Sequence, residues 1–139
     1  MNTNEKGDIG LAAVIADVIG KGFFVFLPFS DRTHVDLIIA DKYMRTQRVQ
    51  IKYISVSEKG VLQIVTSSVV NGKKVPVDLS KIDIWAIYCP DTKEIYYVNT
   101  ADLLGKKAMS LRINDSKNNL PGIHYAKDYL DLNKVWNIK

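Results

Sequence analysis

Ile84-Trp85-Ala86-Ile87-Tyr88-Cys89 is an almost unbroken apolar run, bounded by Asp83 and Pro90. A strand with one wet face alternates apolar and polar residues. A continuous run of this kind is expected of a central strand covered on both faces. Such a strand constrains the whole chain, because other elements must supply a layer on each side of it. A chain of 139 residues is long enough for one domain with a real core.

The remaining pattern supplies those layers. Leu11, Ile15, Val18 and Ile19 recur at helical spacing, which predicts a helix over residues 8–20 with Asp8 as N-cap and Gly20 and Gly22 at its end. Strands are predicted over 23–27, 34–40, 46–54 and 61–67, with Asn71-Gly72-Lys73-Lys74 as a turn. Glu94 to Val98 follows the apolar run as a strand, and a short helix begins near Thr100. Residues 105–122 read as irregular, and 125–132 as a short final helix. There is no internal repeat and no linker. The fold class is therefore α/β (α+β), with a mixed central β-sheet flanked by helices in one domain over 1–139.

The net charge of +4 and the pI of about 9.1 are compatible with a polyanionic partner. Cys89 is the only cysteine, so an intramolecular disulfide and a multi-cysteine zinc site are excluded; it reads as a small buried hydrophobe. The polar start, Met1 to Asp8, has no signal-peptide core, and no apolar run approaches the roughly 20 residues of a bilayer span. An intracellular protein with no membrane partner is expected.

Three polar residues stand out within the strands. Asp36 interrupts Val35 and Leu37-Ile38-Ile39, and Gln50 and Lys52 sit two apart in Val49-Gln50-Ile51-Lys52-Tyr53. Side chains two apart share a strand face, so Arg48, Gln50 and Lys52 form a polar stripe opposite Val49 and Ile51. An acid facing an amide and a lysine suits phosphodiester hydrolysis. Asp36, the Gln50 side-chain oxygen and the Ile51 backbone carbonyl offer hard ligands to a divalent ion such as Mg2+. Lys52 offers charge for the attacking water or the developing anion. The same pattern also describes solvated positions on half-exposed strands. Asp36 argues against that, since an acid in an apolar strand is costly unless paired or used.

The ordered set of short motifs resembles the PD-(D/E)xK nuclease superfamily, and within it the small homing endonucleases of bacterial group I introns. The segments that carry the resemblance are Lys6-Gly7-Asp8-Ile9-Gly10, Phe26-Leu27-Pro28-Phe29-Ser30-Asp31, Val35-Asp36-Leu37 and Arg48-Val49-Gln50-Ile51-Lys52. Thr66-Ser67-Ser68 and Ile84 to Pro90 continue it. The resemblance implies a restriction-endonuclease-like core and a site-specific, metal-dependent endonuclease acting on double-stranded DNA in the bacterial cytoplasm. Other readings on the same fold are a Holliday-junction resolvase-like nuclease and a non-catalytic DNA-binding module. Asp36 matches the metal-binding acid, Gln50 the second acid (a position where this branch tolerates glutamine) and Lys52 the motif lysine. Leu11 stands where the branch carries a glutamate. Either the chain is an inactivated form that still binds DNA, or it is a weak enzyme.

The resemblance also implies a homo-oligomer, dimer or tetramer, as two-fold cutting of a duplex requires; Tyr88, Tyr96, Tyr97, Trp85 and Trp136 are candidate interface aromatics, with core packing the favoured reading for Trp85. DNA contacts are expected from Arg45, Arg48, Ser67, Ser68, Lys73, Lys74, Lys106, Lys107 and Arg112, with Thr66, His34 and Lys117 as further candidates. The irregular part, 105–139, is expected to serve DNA or subunit contacts. His34 and His124 lack ligand-like spacing, so zinc is not expected.

Overall fold

The computed structural model describes residues 1–114 and 121–136. Helix α1 (Thr3–Gly20) is followed by β1 (Phe24–Phe26), β2 (Leu37–Ala40) and β3 (Thr46–Tyr53). Next come β4 (Val61–Val65), β5 (Ser67–Val70), β6 (Lys73–Pro76), β7 (Ile84–Cys89) and β8 (Glu94–Asn99). The chain continues through β9 (Ala108–Arg112) and β10 (His124–Tyr125) to α2 (Leu132–Val135), with short 3-10 turns between. Among the described residues no helix is long and apolar enough to cross a membrane.

The apolar run, β7, is an interior strand covered on both faces, as expected. The main sheet has the order β1-β2-β3-β7-β8. Its inner pair, β3 and β7, is parallel, with Val49 opposite Ile84, Gln50 opposite Trp85 and Lys52 opposite Ile87. The other pairs are antiparallel. A parallel pair needs a long crossover, and residues 54–83 provide it, carrying β4, β5 and β6. Alternation then sorts β7 between two cores. Ile84 and Ala86 pack with Val14 and Val18 of α1 and with Leu132 of α2. Trp85, Ile87 and Cys89 pack with Leu62, Ile64, Met109 and Leu111. Those last four belong to a second sheet of order β10-β9-β4, which covers the opposite face. Trp85 is buried in the core, as favoured for it, and Tyr96 and Tyr97 are buried too and so are not interface aromatics. Trp136 packs on Phe23 with ring centroids 4.9 Å apart, and Tyr88 on Tyr53 at 5.6 Å.

Several boundaries differ from expectation, each for a local reason. The helix begins at Thr3, not at Asp8, because Asn2 caps it. The Asn2 side-chain oxygen accepts from the Glu5 N–H at 2.9 Å, and its side-chain amide donates to the Glu5 carboxylate at 3.3 Å. Asp8 therefore lies within the helix. The strand expected over 61–67 breaks at Thr66, whose N–H bonds the Lys107 carbonyl at 3.3 Å. Lys73 and Lys74 lie in β6, and the turn is Asn71-Gly72 alone, both with positive φ (50° and 76°). That geometry is typical of tight hairpin turns and favours Asn-Gly. Within the part read as irregular, β9 is a regular strand: Met109 and Leu111 point inward and Ser110 outward. Flanking lysines and glycines mask its short alternation. The final helix is divided between a 3-10 turn, Ala126–Tyr129, and α2, which Asp131 caps by accepting from Asn133 N–H at 2.9 Å. Lys117 lies outside the described residues.

Arg48 locks the start of the crossover's return. Its guanidinium grips Asp83 with two bonds of 2.9 Å, and its backbone N–H adds a third at 2.8 Å. The Arg48 side chain chiefly, with help from the N–H, holds the Asp83 carboxyl below its ordinary range. Both side chains are partly exposed, so screening limits the pair to about 1 kcal/mol. Because the folded-state pKa is depressed, this contribution is full above the unfolded carboxylate pKa of about 3.9 and disappears as pH falls through the folded value. Asp83→Asn should thus lower stability by about 1 kcal/mol at neutral pH. Urea melts of the two proteins should converge in strong acid; a difference independent of pH would show that the ion pair is not its source.

Candidate active site

β2 and β3 pair from Ala40↔Thr46 to Leu37↔Val49 and then part. Asp36 therefore lies just before β2 and not inside it. Its N–H still reaches the Val49 carbonyl at 2.8 Å. Beyond that point the exposed strand edge of β3 needs a partner, and the Asp36 carboxylate becomes one, accepting from Ile51 N–H at 2.7 Å. The N–H and C=O of one strand residue point to the same edge. The Ile51 carbonyl thus faces the same gap as the Asp36 carboxylate.

The gap opens into two adjoining clefts that share Asp36 and Gln50. One, of about 320 Å³, runs under the start of α1 and is walled by Asp8, Leu11, Ile51 and Tyr53. The other, of about 440 Å³, is walled by His34, Ser68 and Val70. α1 lies close over β3 at Gly10, where a methyl group would stand 3.5 Å from Ile51.

Gln50 is 8% exposed, and its Oε1 is buried without a hydrogen-bond partner. An orphan acceptor of this kind asks for an explanation such as an ion or a ligand. Lys52 extends over the Trp85 ring, 5.7 Å from its centroid, and donates to the Ser67 carbonyl at 3.0 Å. Burial pushes the Lys52 ammonium below the ordinary lysine range, against the pull of Asp36. Burial likewise pushes the Asp36 carboxyl up, opposed by the Ile51 N–H, Lys52 and His34. A carboxylate and an ammonium shifted toward each other beside a cleft mark a candidate functional site.

The sequence-predicted residues fall into groups. Asp36, Gln50, Ile51, His34, Ser67 and Ser68 gather around the gap with Lys52, and Leu11 lines it from the helix. Thr66, Ser67, Lys74 and Lys107 line a neighbouring cleft. Lys106 and Arg112 line another with His124, whose Nδ1 lies 3.0 Å from the Tyr129 hydroxyl. Arg48 is committed to Asp83. Arg45 pairs with Asp41 at 2.7 Å and lines a separate cleft with Tyr43 and Trp136. Sequence reasoning missed Asp8 as a wall of the site. Its position three residues before Leu11, on one helix face, carried that signal, but the N-cap assignment hid it.

Comparison with known proteins agrees with this architecture. A family model described as PD-(D/E)XK endonuclease matches residues 1–132. The solved structure of a bacterial homing endonuclease, I-Ssp6803I, superposes with a TM-score of 0.76 at 22% identity, covering 93% of this chain and 88% of that one. At that identity the likeness establishes the fold. No curated protein sequence matches. With a sheet order, a crossover and a strand-edge cleft arranged in this way, and with the family model running from Met1 into α2, the chain belongs to the PD-(D/E)XK endonuclease family.

Proposed function

We propose that this chain is a metal-dependent, site-specific endonuclease that hydrolyses phosphodiester bonds of duplex DNA, in the manner of a homing endonuclease. The observation that carries the reading is the meeting of the Asp36 carboxylate, the orphan Gln50 oxygen and the Lys52 ammonium where β2 leaves β3. Those oxygens and the Ile51 carbonyl are hard donors. Together they suit Mg2+, which accepts one or two carboxylates and keeps several waters. When bound, the ion would polarise a phosphate oxygen and make its water more acidic.

The chain's own residues do the rest. The Ile51 N–H fixes the orientation of the Asp36 carboxylate. The Ser67 carbonyl and the Trp85 ring hold the Lys52 ammonium over the cleft, where it stabilises negative charge growing on the phosphate. Burial excludes water and strengthens that interaction. Asp8, on the helical wall, adds a negative charge to the cleft that Leu11 does not supply. Two-fold cutting needs two such sites, so the active form is a homo-oligomer, dimer or tetramer, of one 139-residue nuclease domain.

Leu11 favours a second reading, a DNA-binding module with little catalysis. Among the described residues no group of three or more His, Cys, Asp or Glu side chains gathers to hold a metal. Fewer anionic ligands mean weaker divalent-ion affinity.

Cleavage of a duplex library with Mg2+, compared between the wild type and Leu11→Glu, separates the two readings. A weak enzyme should cut slowly and gain at low Mg2+ from Leu11→Glu. Cutting by Leu11→Glu alone would identify the wild type as the binding module, and cutting by neither would remove nuclease function. Asp36→Asn and Lys52→Met should each reduce cutting by about a hundred-fold or more without preventing DNA binding. Sedimentation should show a species heavier than the 15.7 kDa protomer. Lys106→Gln with Lys107→Gln should flatten the salt dependence of DNA binding by up to about two units of slope; an unchanged slope places both lysines outside the interface.

A further inference from the structure

The hairpin of β5 and β6 stands beside the site and has little core of its own. Val77, just past its end, is buried, but Val69, Val70, Lys73, Lys74 and Val75 are all exposed. A two-stranded ribbon left alone in water is marginally stable, and the exposed valines on both strands belong to neither hydrophobic core. Its base, by contrast, is firmly anchored. Val77 N–H bonds the Thr66 carbonyl at 3.1 Å, and the Lys52 ammonium bonds the Ser67 carbonyl at 3.0 Å. The lysine of the proposed site therefore holds the root of the hairpin.

The register gives the hairpin two distinct faces. Ser68 pairs with Val75 and Val70 with Lys73; Ser67 pairs with Pro76 and Val69 with Lys74. The first face meets the cleft of Asp36 and Gln50, which Ser68 and Val70 help to line. The second meets Thr66 and Lys107. Each face thus joins one serine hydroxyl and valine methyls to one lysine, and Lys107 adds basic charge at the foot of the second.

From this we infer that the β5–β6 hairpin inserts into the major groove of the DNA and reads base pairs next to the scissile phosphate. The inference rests on the endonuclease reading above. The major groove, about 12 Å wide, admits a two-stranded β-ribbon and shows a distinct pattern for every base pair. The chemistry on the ribbon fits base edges: lysine donates to guanine O6 and N7, serine to several edges, and an apolar methyl packs against the thymine methyl. The tight Asn71-Gly72 turn keeps the tip slim. Because Lys52 fixes the root, reading and cutting share one rigid support.

Cleavage of a randomised duplex library, followed by sequencing of the products, tests the inference. The variants are Lys74→Gln, Lys73→Gln and Val75→Ser, all at exposed positions, with thermal melts to confirm that the fold is retained. Each should relax or change base preference about ten-fold at one or two adjacent positions, leaving preference elsewhere as in the wild type. Identical preference profiles for wild type and all three variants would overturn the groove insertion while leaving the nuclease reading intact. A uniform loss of binding at every position, without a change of preference, would also overturn it by making the lysines phosphate contacts only. A wild type that neither binds nor cuts any duplex would overturn both readings.

Discussion

The parallel pairing of β3 with β7 is the constraint on which the rest depends. Once these strands lie side by side, β7 is buried on two faces, β3 packs Val49 and Ile51 on one, and every neighbour has an assigned place. Helix α1 must cover one face. The crossover must leave from β3 and come back to β7, and on the way it builds β4 for the opposite layer. β2 then has only the outer edge of β3 to pair with, and where that pairing stops, the strand edge is open to solvent. A carboxylate at that point is structurally useful, because it satisfies the Ile51 N–H that no strand carbonyl reaches.

This places structural and chemical duty on the same side chain. Asp36 completes the hydrogen bonding of β3 and, in the proposed site, supplies a carboxylate to the cleft. Lys52 likewise has structural partners, packing on Trp85 and pinning the Ser67 carbonyl, while its charge also acts on Asp36. The strain of this arrangement is electrostatic. Both groups lose hydration, their pKa values move toward each other, and their mutual attraction only partly offsets the loss. A cation arriving at Asp36 and a phosphate arriving at Lys52 would relieve that cost.

Much of this was legible in the residues. The unbroken run from Ile84 to Cys89 announced a central strand, and the alternation of Val49, Gln50, Ile51 and Lys52 announced which side chains would share a face. Elements that depend on competition between local signals were less legible. Asp8 and Asn2 are both good N-caps, and the bonds between Asn2 and Glu5 decide between them. The strand β9 was hidden because its alternation is short and its neighbours are polar. Arg48 looked as available to DNA as Lys52 does, until Asp83 arrived beside it from a distant part of the chain.

The sequence by itself determined the layered sheet, the two-residue spacing of Gln50 and Lys52, and the absence of a carboxylate at Leu11. These are properties of pattern and composition, and no partner is needed to state them. The tertiary structure alone decided that Asp36 sits at the point where two strands part, that the Gln50 oxygen is left without a partner, and that Asp8 shares the cleft wall with Leu11. It also decided that the β5–β6 hairpin stands free beside that cleft. Each of these depends on which backbone groups lie opposite one another after the crossover closes, and non-local pairing of that kind leaves no periodic trace in the sequence.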